Sequence, residues 1–328
     1  MVRRAVRPAR RAAAALAGLC LATSAAGAAT LSLKPGQNLR ALLTQAADGD
    51  VVEIPAGEYR GEVGVIGQQR LTLRGVGGRP VLNAAGNSAE RKAILVVRGG
   101  DVRIENLEFR GARVDDQNGA GIRFESGRLL VLRCAFVDNE NGVLTANAPD
   151  AELRVEDSDF SHAPSNTPLP HLLYAGAIGR LTVIGSRFSG GREGHLLKSR
   201  ARFSEIRNNR LVDGLGGRAA YELEFPNGGQ VSVVGNVIGQ SAGTSNPTIV
   251  SFGAEGYGDR AQSLTFSDNT VINEAPRPAT FLYLRPAAQP FERRLLNNRF
   301  FGLGEMGAAD AAHGNTLAPL SALGSARP

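Results

Sequence analysis

One short pattern recurs eight times along the chain and constrains its fold more than any other feature. Its form is shown by VRIENLEF, LTVIGSRF and VSVVGNVI, in which the third residue from the end serves as a marker. The markers, 23 to 33 residues apart, are Leu107, Cys134, Ser158, Ser186, Asn209, Asn236, Asn269 and Asn298. The residue three before and the residue two after each marker are apolar in all eight segments. A period of this length with strand-like units is typical of a solenoid.

The solenoid that this repeat predicts is a parallel β-helix, in which each coil adds short strands to the coil before it. Helical repeats are excluded because no 3.6-residue periodicity appears, and the spacing of leucine-rich repeats is absent. The marker is expected at a tight bend, where asparagine tolerates left-handed backbone geometry. Its amide can also bond the equivalent residue of the next coil. Cys134 is expected to be a buried, unreactive thiol in the same column.

Residues 1–28 have the order of a secretory signal peptide: five arginines, an apolar run and small residues ending in Ala26-Gly27-Ala28. The apolar run is shorter than the roughly 20 residues of a membrane span. Without this segment, 32 Lys and Arg (37 less five) remain against 31 Asp and Glu, so the formal charge falls from +6 to about +1. The balance argues against a nucleic-acid partner. We expect a secreted or periplasmic monomer with no membrane span.

The segment after the signal peptide is expected to cap the β-helix, because an open end exposes unpaired strands. Its apolar residues Leu39, Leu42, Leu43 and Ala46 are spaced as one face of a short helix, and the strand Val51 to Ile54 follows. This cap resembles that of secreted right-handed β-helix proteins of the pectate-lyase-like superfamily. The resemblance implies a right-handed parallel β-helix over residues 29–302, followed by an irregular tail over 303–328. It assigns no activity, because the superfamily includes lyases, hydrolases, epimerases and non-enzymatic proteins.

Three successive coils carry polar residues at equivalent positions of one strand. The segments are HLLY from residue 171, HLLK from residue 195 and YELE from residue 221. Counted back from the markers, they form two columns, with neighbouring coils about 4.8 Å apart. The first column contains His171, His195 and Tyr221, and the second contains Tyr174, Lys198 and Glu224. Residues three apart on an ideal strand face opposite ways, so both columns face outward only if the strand bends at the LL doublet.

The two columns contain two of the chain's four histidines and two of its five tyrosines. A stacked lysine and glutamate can be a surface ion pair of little energetic value, but clustered titratable groups are also what a catalytic face requires. A β-eliminating polysaccharide lyase must neutralise a uronate carboxylate, remove the proton beside it and protonate the leaving oxygen. The residues predicted for catalysis are Lys198, His195, Tyr174, His171, Tyr221 and Arg200. Those predicted to bind the substrate are Glu224, Glu222, Asn227, Arg218 and Glu255.

Lys198 is the predicted base of this reaction. A lysine acts as a base at neutral pH only where desolvation or a nearby cation favours its neutral form, and Glu224 has the opposite effect. If Glu224 pairs tightly with Lys198, the base role passes to Tyr174 or His171, with Tyr221 as the acid.

The segment LLKSRARFSEIRNN is similar to the lysine-bearing and asparagine-bearing coils of alginate-lyase and chondroitinase-B type polysaccharide lyases, in which the lysine is the base. The spacing from Lys198 to Asn209 is longer than in that family, and YELEFPNGG replaces its Arg-His-Gly. The family's arginine acid therefore has no aligned counterpart, and Arg200 or Arg218 would have to serve in another geometry. The Ca²⁺ ligands of that family are not recognisable in this sequence, and the candidates to hold such a cation are Glu222, Glu224 and Asn227. The series HLLY, HLLK, YELE and SFGAEG also resembles an uncharacterised bacterial β-helix group.

Other functions remain open from the sequence. A hydrolase would need two or three carboxylates at a defined separation, and the one adjacent aspartate pair, Asp115 and Asp116, is predicted to lie far from the columns. The predicted function is a lyase that cleaves an acidic or amino-sugar polysaccharide by β-elimination. A non-catalytic polysaccharide-binding or envelope-assembly protein and a polysaccharide epimerase are the alternatives. A groove walled by residues 139–150 and 251–262 would favour an enzyme, and a flat face would favour binding.

Overall fold

The structure, a computed structural model, describes residues 1–2, 27–34, 36–165, 170–244, 246–309 and 313–324. Most of the predicted signal peptide, residues 3–26, lies outside the described residues. The described chain winds into a right-handed parallel β-helix of about nine turns. This confirms the predicted fold.

Three parallel sheets, named A, B and C, run along the β-helix, and each full coil follows the order C, A, B. Sheet A consists of Thr30–Ser32, Val51–Pro55, Arg70–Val76, Asp101–Glu105, Arg128–Leu132, Glu152–Glu156, Arg180–Ile184, Phe203–Arg207, Gln230–Val234, Ser263–Ser267 and Glu292–Leu296. Sheet B consists of Glu58–Arg60, Val81–Asn83, Glu108–Arg110, Ala135–Val137, Asp159–Ser161, Arg187–Ser189, Arg210–Val212, Val237–Gln240, Thr270–Asn273, Arg299–Phe301 and Thr316–Ala318. Sheet C consists of Gly64–Ile66, Ala93–Val97, Ala120–Phe124, Asn141–Thr145, His171–Ala175, His195–Ser199, Tyr221–Phe225, Thr248–Phe252, Ala279–Leu284 and Gly304–Glu305.

The N-terminal end of the stack is covered by helix α1, Leu39–Gln45. The side chain of Asn38 caps this helix by accepting a 2.8 Å hydrogen bond from the backbone N–H of Ala41. The three leucines of α1 are buried, and the helix packs on the first strand of sheet C, Gly64–Ile66. The predicted capping helix is confirmed. Among the described residues, no helix is long and apolar enough to cross a membrane.

The interior is filled by the two apolar columns that the repeat predicts. The residues three before and two after the markers are buried along the whole series. Four of them stack ring on ring, with centroids 4.6 to 5.1 Å apart: Phe109, Phe136, Phe160 and Phe188. Burying a side chain of this size stabilises the fold by roughly 1.5–3 kcal/mol. The stacked phenylalanines therefore hold consecutive coils together and fix their register.

The last markers form a ladder of buried asparagine side chains. Each Nδ2 donates to the Oδ1 of the next asparagine at 2.9 to 3.1 Å, in the order Asn209, Asn236, Asn269, Asn298 and Asn315. Each acceptor Oδ1 also receives the backbone N–H of the previous asparagine. The hydroxyl of Ser186 extends the series in the other direction by accepting the backbone N–H of Ser158 at 3.1 Å. The predicted asparagine ladder is confirmed.

Cys134 occupies the same column and is fully buried with a free thiol. Burial raises the pKa of this thiol to about 11. Because the thiolate is the reactive form of cysteine, this raised pKa makes Cys134 unreactive.

The residue that turns the chain at each bend is the one before the marker, and the prediction that placed left-handed geometry on the marker itself was wrong. Positive φ angles of 47° to 70° occur at Asn106, Arg133, Asp157, Gly185, Asn208, Gly235, Asp268 and Asn297. Most of these are Asn, Asp or Gly, the residue types that tolerate this region. The turn residue thus directs the following marker side chain inward, where it reaches the next coil.

The C-terminal region contains more regular structure than the irregular tail predicted from residue 303. Gly304–Glu305 pairs with the end of sheet C, and Thr316–Ala318 pairs with Arg299–Phe301 in sheet B. Asn315 follows the marker Asn298 by only 17 residues and continues the ladder. A short 3₁₀ helix follows at Leu320–Leu323. The repeat does not reveal this last partial coil because its interval is much shorter than the others.

Candidate functional site

Both predicted columns are present on sheet C. Tyr174 pairs with Lys198, and Lys198 pairs with Glu224, one coil at a time. His195 pairs with Tyr221 in the other column. The parallel register therefore places equivalent residues of the three coils directly beside one another.

The two columns lie on the same face because the strands bend between them. In the strand His171–Ala175, the two leucines are both buried in the core. The ring of His171 meets the ring of Tyr174 edge-on, with centroids 5.1 Å apart. Contact between residues three apart is possible only when both side chains leave the strand on one side. The LL doublet therefore marks the bend that the columns require.

Four rings form a continuous row across this face, in the order Tyr174, His171, His195 and Tyr221. The two imidazole centroids are 4.8 Å apart, and the ring of Tyr221 lies 5.0 Å from that of His195. Nδ1 of His171 accepts the backbone N–H of His195 at 3.1 Å, so the imidazole hydrogen is assigned to Nε2.

Both histidines are neutral at pH 7. Burial, followed by the charges of Lys198 and Arg200, lowers the pKa of His171 to about 3. Burial is also the main cause that holds the pKa of His195 well below its usual value, and the neighbouring His171 adds to it. The lone pair of His171 Nδ1 is already engaged by a backbone N–H, which excludes this atom as a free base.

Lys198 is paired with two carboxylates. Its Nζ lies 3.2 Å from Oε2 of Glu224 and 3.5 Å from Oε1 of Glu255, and its side chain is 12% exposed. Burial raises the pKa of Glu224, and the charge of Lys198 opposes that shift. The same Oε2 lies 3.2 Å from Nδ1 of His195, without the alignment of a hydrogen bond. The sequence predicts Tyr174 or His171 as the base, and not Lys198, if Lys198 pairs tightly with Glu224. The structure has this ion pair.

Arg200 is the centre of the cluster. Its Nε donates to the phenolic oxygen of Tyr174 at 2.8 Å, and its Nη1 donates to Oδ1 of Asn227 at 2.5 Å. Nη1 and Nη2 together form a fork with both carboxylate oxygens of Glu255, at 2.7 and 2.8 Å. These acceptors raise the pKa of Arg200, chiefly through the hydrogen bonds to Glu255. We refer to Tyr174, Lys198, Arg200, Glu224, Asn227 and Glu255 as the cation cluster.

A second arginine, Arg260, binds the backbone of the cation cluster. The guanidinium of Arg260 donates to the backbone carbonyls of Arg200 at 2.8 Å and Asn227 at 3.2 Å. Burial is the main cause that lowers the pKa of Arg260, and the charge of Arg200 adds to it. Arg260 was not predicted, since it lies in a loop without a periodic position.

A polar cavity of about 370 Å³ lies beside the cluster, with Tyr174 in its wall. Its other polar lining residues are Arg91, Lys92, Asp116, Asn118, Arg123, Thr145 and Asn147. Asp116 was predicted to be far from the columns, and this was wrong because its loop folds back over sheet C. Arg123 was missed, although it precedes its marker by 11 residues, as Lys198 does. Extending the column back from Tyr174 by two more markers identifies it.

Two predicted substrate-binding residues lie apart from the cluster. Glu222 is fully buried, because the strand bend turns it inward beside the core residues of neighbouring coils. Burial, with the nearby charge of Asp213, holds its pKa well above the usual value. Arg218 is exposed and pairs with Glu193 at 3.1 Å. Neither side chain contributes to the outer face where Lys198 and Arg200 lie.

The cluster and the cavity meet at Tyr174, and each of the two predicted wall loops contributes residues to one of them. Residues 144–147 line the cavity, and Glu255, from residues 251–262, pairs with Lys198 and Arg200. The proposed Ca²⁺ ligands do not converge, because Glu222 points inward and Glu224 points outward. Within the described ranges, no group of three or more His, Cys, Asp or Glu side chains is arranged to hold a metal ion.

No protein-family model matches the chain, and no curated protein matches it. The site must therefore be interpreted from its own geometry.

Proposed function

We propose that this protein is an exported carbohydrate-active β-helix that binds an acidic polysaccharide along sheet C and cleaves it by β-elimination. The observation that carries the proposal is the contact between Tyr174 and Arg200 beside the polar cavity. A guanidinium, an ammonium and a tyrosine hydroxyl on one face are the groups that carboxylate neutralisation and proton transfer require.

Tyr174 is the proton-transfer residue in this proposal. Its phenolic oxygen accepts a hydrogen bond from Arg200 and borders the cavity where a sugar ring can lie. In this proposal Tyr174 reacts as the phenolate, whose charge faces the guanidinium of Arg200, and this oxygen takes the proton beside the uronate carboxylate to become the neutral hydroxyl. The same hydroxyl then returns the proton to the leaving glycosidic oxygen. Tyr221 stands at the far end of the ring row, against His195, and has no proton-transfer role.

Arg200 and Lys198 neutralise the substrate carboxylate. Removal of the proton beside a carboxylate leaves negative charge on the carboxylate oxygens, and fixed cations stabilise that charge as it develops. Lys198 is a positioned cation here instead of the base, because Glu224 and Glu255 hold it by ion pairs. The neutral histidines fill the space behind Tyr174 and orient its ring.

The polysaccharide runs parallel to the helix axis in this proposal. Arg123, Leu144, Tyr174 and Lys198 are consecutive members of one column. Three steps of about 4.8 Å separate the first from the last, or roughly 14 Å in all. One coil is close to the length of one sugar unit, so the cavity near Arg123 accommodates units next to the one at Tyr174.

The proposal places the chain among pectate-lyase-like proteins, and the closest chemistry is that of the alginate-lyase and chondroitinase-B type lyases. A non-catalytic polysaccharide-binding protein is the second candidate. It is favoured by the internal pairing of both cations with glutamates, because a surface that is already neutralised can bind sugar without reacting. An epimerase would share the proton abstraction and differ in keeping the chain intact.

The test is to incubate the purified protein with polygalacturonate, alginate, hyaluronan and neutral dextran. Elimination creates a carbon–carbon double bond conjugated to the carboxylate, which absorbs in the ultraviolet. Absorbance that rises with a uronate polymer and not with dextran is expected. If the protein sediments with a polymer but produces no absorbance, the binding protein replaces the lyase as the proposed function. If it shows neither absorbance nor sedimentation with any uronate polymer, both candidate functions are contradicted.

A further inference from the structure

Glu255 occupies the position that the carboxylate of a ligand would take. Both of its oxygens accept from the guanidinium fork of Arg200, and one of them also lies 3.5 Å from Nζ of Lys198. Paired, nearly parallel N–H···O bonds of this kind are the preferred recognition geometry between arginine and a carboxylate.

The exposure of the three side chains shows which partner can leave. Lys198 is 12% exposed and Arg200 is 23% exposed, but Glu255 is 46% exposed. The cations are therefore largely shielded from solvent, and their counterion Glu255 is the most exposed of the three. The hydrogen bonds from Arg200 lower the pKa of Glu255, so it is a full negative charge at neutral pH.

Glu255 can leave without unfolding its loop. The backbone N–H of Glu255 donates to the carbonyl of Pro226 at 2.9 Å, and Nδ2 of Asn227 donates to the carbonyl of Gly256 at 3.4 Å. These bonds hold the loop backbone independently of the Glu255 carboxylate. Rotation of one half-exposed side chain into solvent is enough to uncover Arg200 and Lys198.

We propose that Arg200 and Lys198, with Asn227 positioning the Arg200 guanidinium, form a carboxylate-binding site that Glu255 closes in the free protein and that a uronate carboxylate opens by replacing it. This rests on the proposed function and names the group of the substrate that the site recognises. Exchange of one carboxylate for another preserves the charge balance of the cluster. A neutral sugar cannot make that exchange, because its hydroxyls would leave Arg200 without a counterion and Lys198 with Glu224 alone.

The test measures binding of sodium D-glucuronate to the full mature chain by the NMR signal of Arg200 Nε–H. Glu255→Ala is expected to bind glucuronate at least about tenfold more tightly than the unmodified protein, a difference of about 1.4 kcal/mol. Glu255→Gln, which keeps the side-chain size and removes the charge, is expected to change affinity in the same direction. Glucose is expected to leave the signal unchanged in every variant.

The matched control is Glu193→Ala. Glu193 is also 46% exposed and also pairs with one arginine, Arg218, but lies outside the cluster, so its removal should leave glucuronate affinity unchanged. Equal glucuronate affinity in the unmodified, Glu255→Ala and Glu255→Gln proteins would overturn the proposal. The proposal would also be overturned if the Glu255 variants gained as much affinity for sodium sulfate as for glucuronate. Tighter glucuronate binding by the Glu255 variants, without cleavage or binding of any polymer, would keep this site and contradict the proposed function.

Discussion

The Nε of Arg200 donates a 2.8 Å hydrogen bond to the phenolic oxygen of Tyr174, which lies 26 residues earlier in the chain. Tyr174 pairs with Lys198 in the neighbouring strand, so the arginine reaches back by one coil from just beyond that strand. The same guanidinium contacts Asn227 from the following coil and Glu255 from the coil after that. One side chain thereby joins four coils of the β-helix at the proposed site.

The asparagine ladder is predicted to contribute strongly to stability. Asn236 accepts from the backbone and side chain of Asn209 and donates to Asn269. Asn236→Leu removes these bonds and leaves buried groups unsatisfied, at roughly 1–3 kcal/mol for each group. Urea unfolding should show a lower midpoint, whereas Asn118→Leu, at an exposed position, should shift it little. An unchanged midpoint for Asn236→Leu would mean that the ladder does not stabilise the fold.

Glu222 is predicted to destabilise the protein as the pH rises. Burial keeps its folded pKa well above the usual value, so the unfolded chain releases this proton near pH 4.3 while the folded chain retains it. The free energy of unfolding therefore falls from about that pH upward, until the folded pKa is reached. Glu222→Leu matches Leu196 of the neighbouring coil and should raise stability at pH 8 by roughly 1–3 kcal/mol. If Glu222→Leu is less stable than the unmodified protein at pH 8, Glu222 has a buried partner that offsets its charge.

The histidine pair is predicted to have the opposite pH dependence and to destabilise the protein as the pH falls. His171 has a folded pKa of about 3, whereas an unfolded histidine binds its proton near pH 6.5. The unfolded state thus binds more protons between these values, and stability falls as the pH drops, by up to about 1.4 kcal/mol per pH unit for each histidine. His171→Asn, which reproduces Asn141 of the preceding coil, should reduce that slope between pH 6.5 and 4. Equal slopes in the unmodified and His171→Asn proteins would contradict the expected shift.

Export is predicted to leave Ala29 as the first residue of the mature protein. The backbone nitrogen of Ala29 already donates to Oδ1 of Asp50 at 2.8 Å. Cleavage after Ala28 would turn that amide into an ammonium facing a carboxylate, which is a stronger interaction. N-terminal sequencing of exported protein should begin at Ala29, and material that retains residues 1–20 would contradict the localisation.

The columns could be predicted from the sequence because the repeat fixes which residues of successive coils are neighbours. The period alone places Tyr174 beside Lys198, and it also places Arg123 in their column. The partners of Arg200 could not be predicted in this way, because Asn227 and Glu255 come from loops whose positions follow no period. Glu222 was placed on the wrong side for a related reason. A strand bend interrupts the alternation of inward-facing and outward-facing side chains, and this turns Glu222 into the core. The bend depends on packing as well as on the leucine doublet.

The catalytic claim depends on one oxygen atom, the phenolic oxygen of Tyr174. On a uronate polymer that the unmodified protein cleaves, Tyr174→Phe keeps the ring contact with His171 and removes only that oxygen. The initial rate of ultraviolet absorbance should fall by about 10²-fold or more, the usual scale for loss of a proton-transfer group, while polymer binding is retained. Tyr221→Phe, at the other end of the ring row, should stay within a few-fold of the unmodified rate. A folded Tyr174→Phe protein with an unchanged rate would contradict the proposed mechanism.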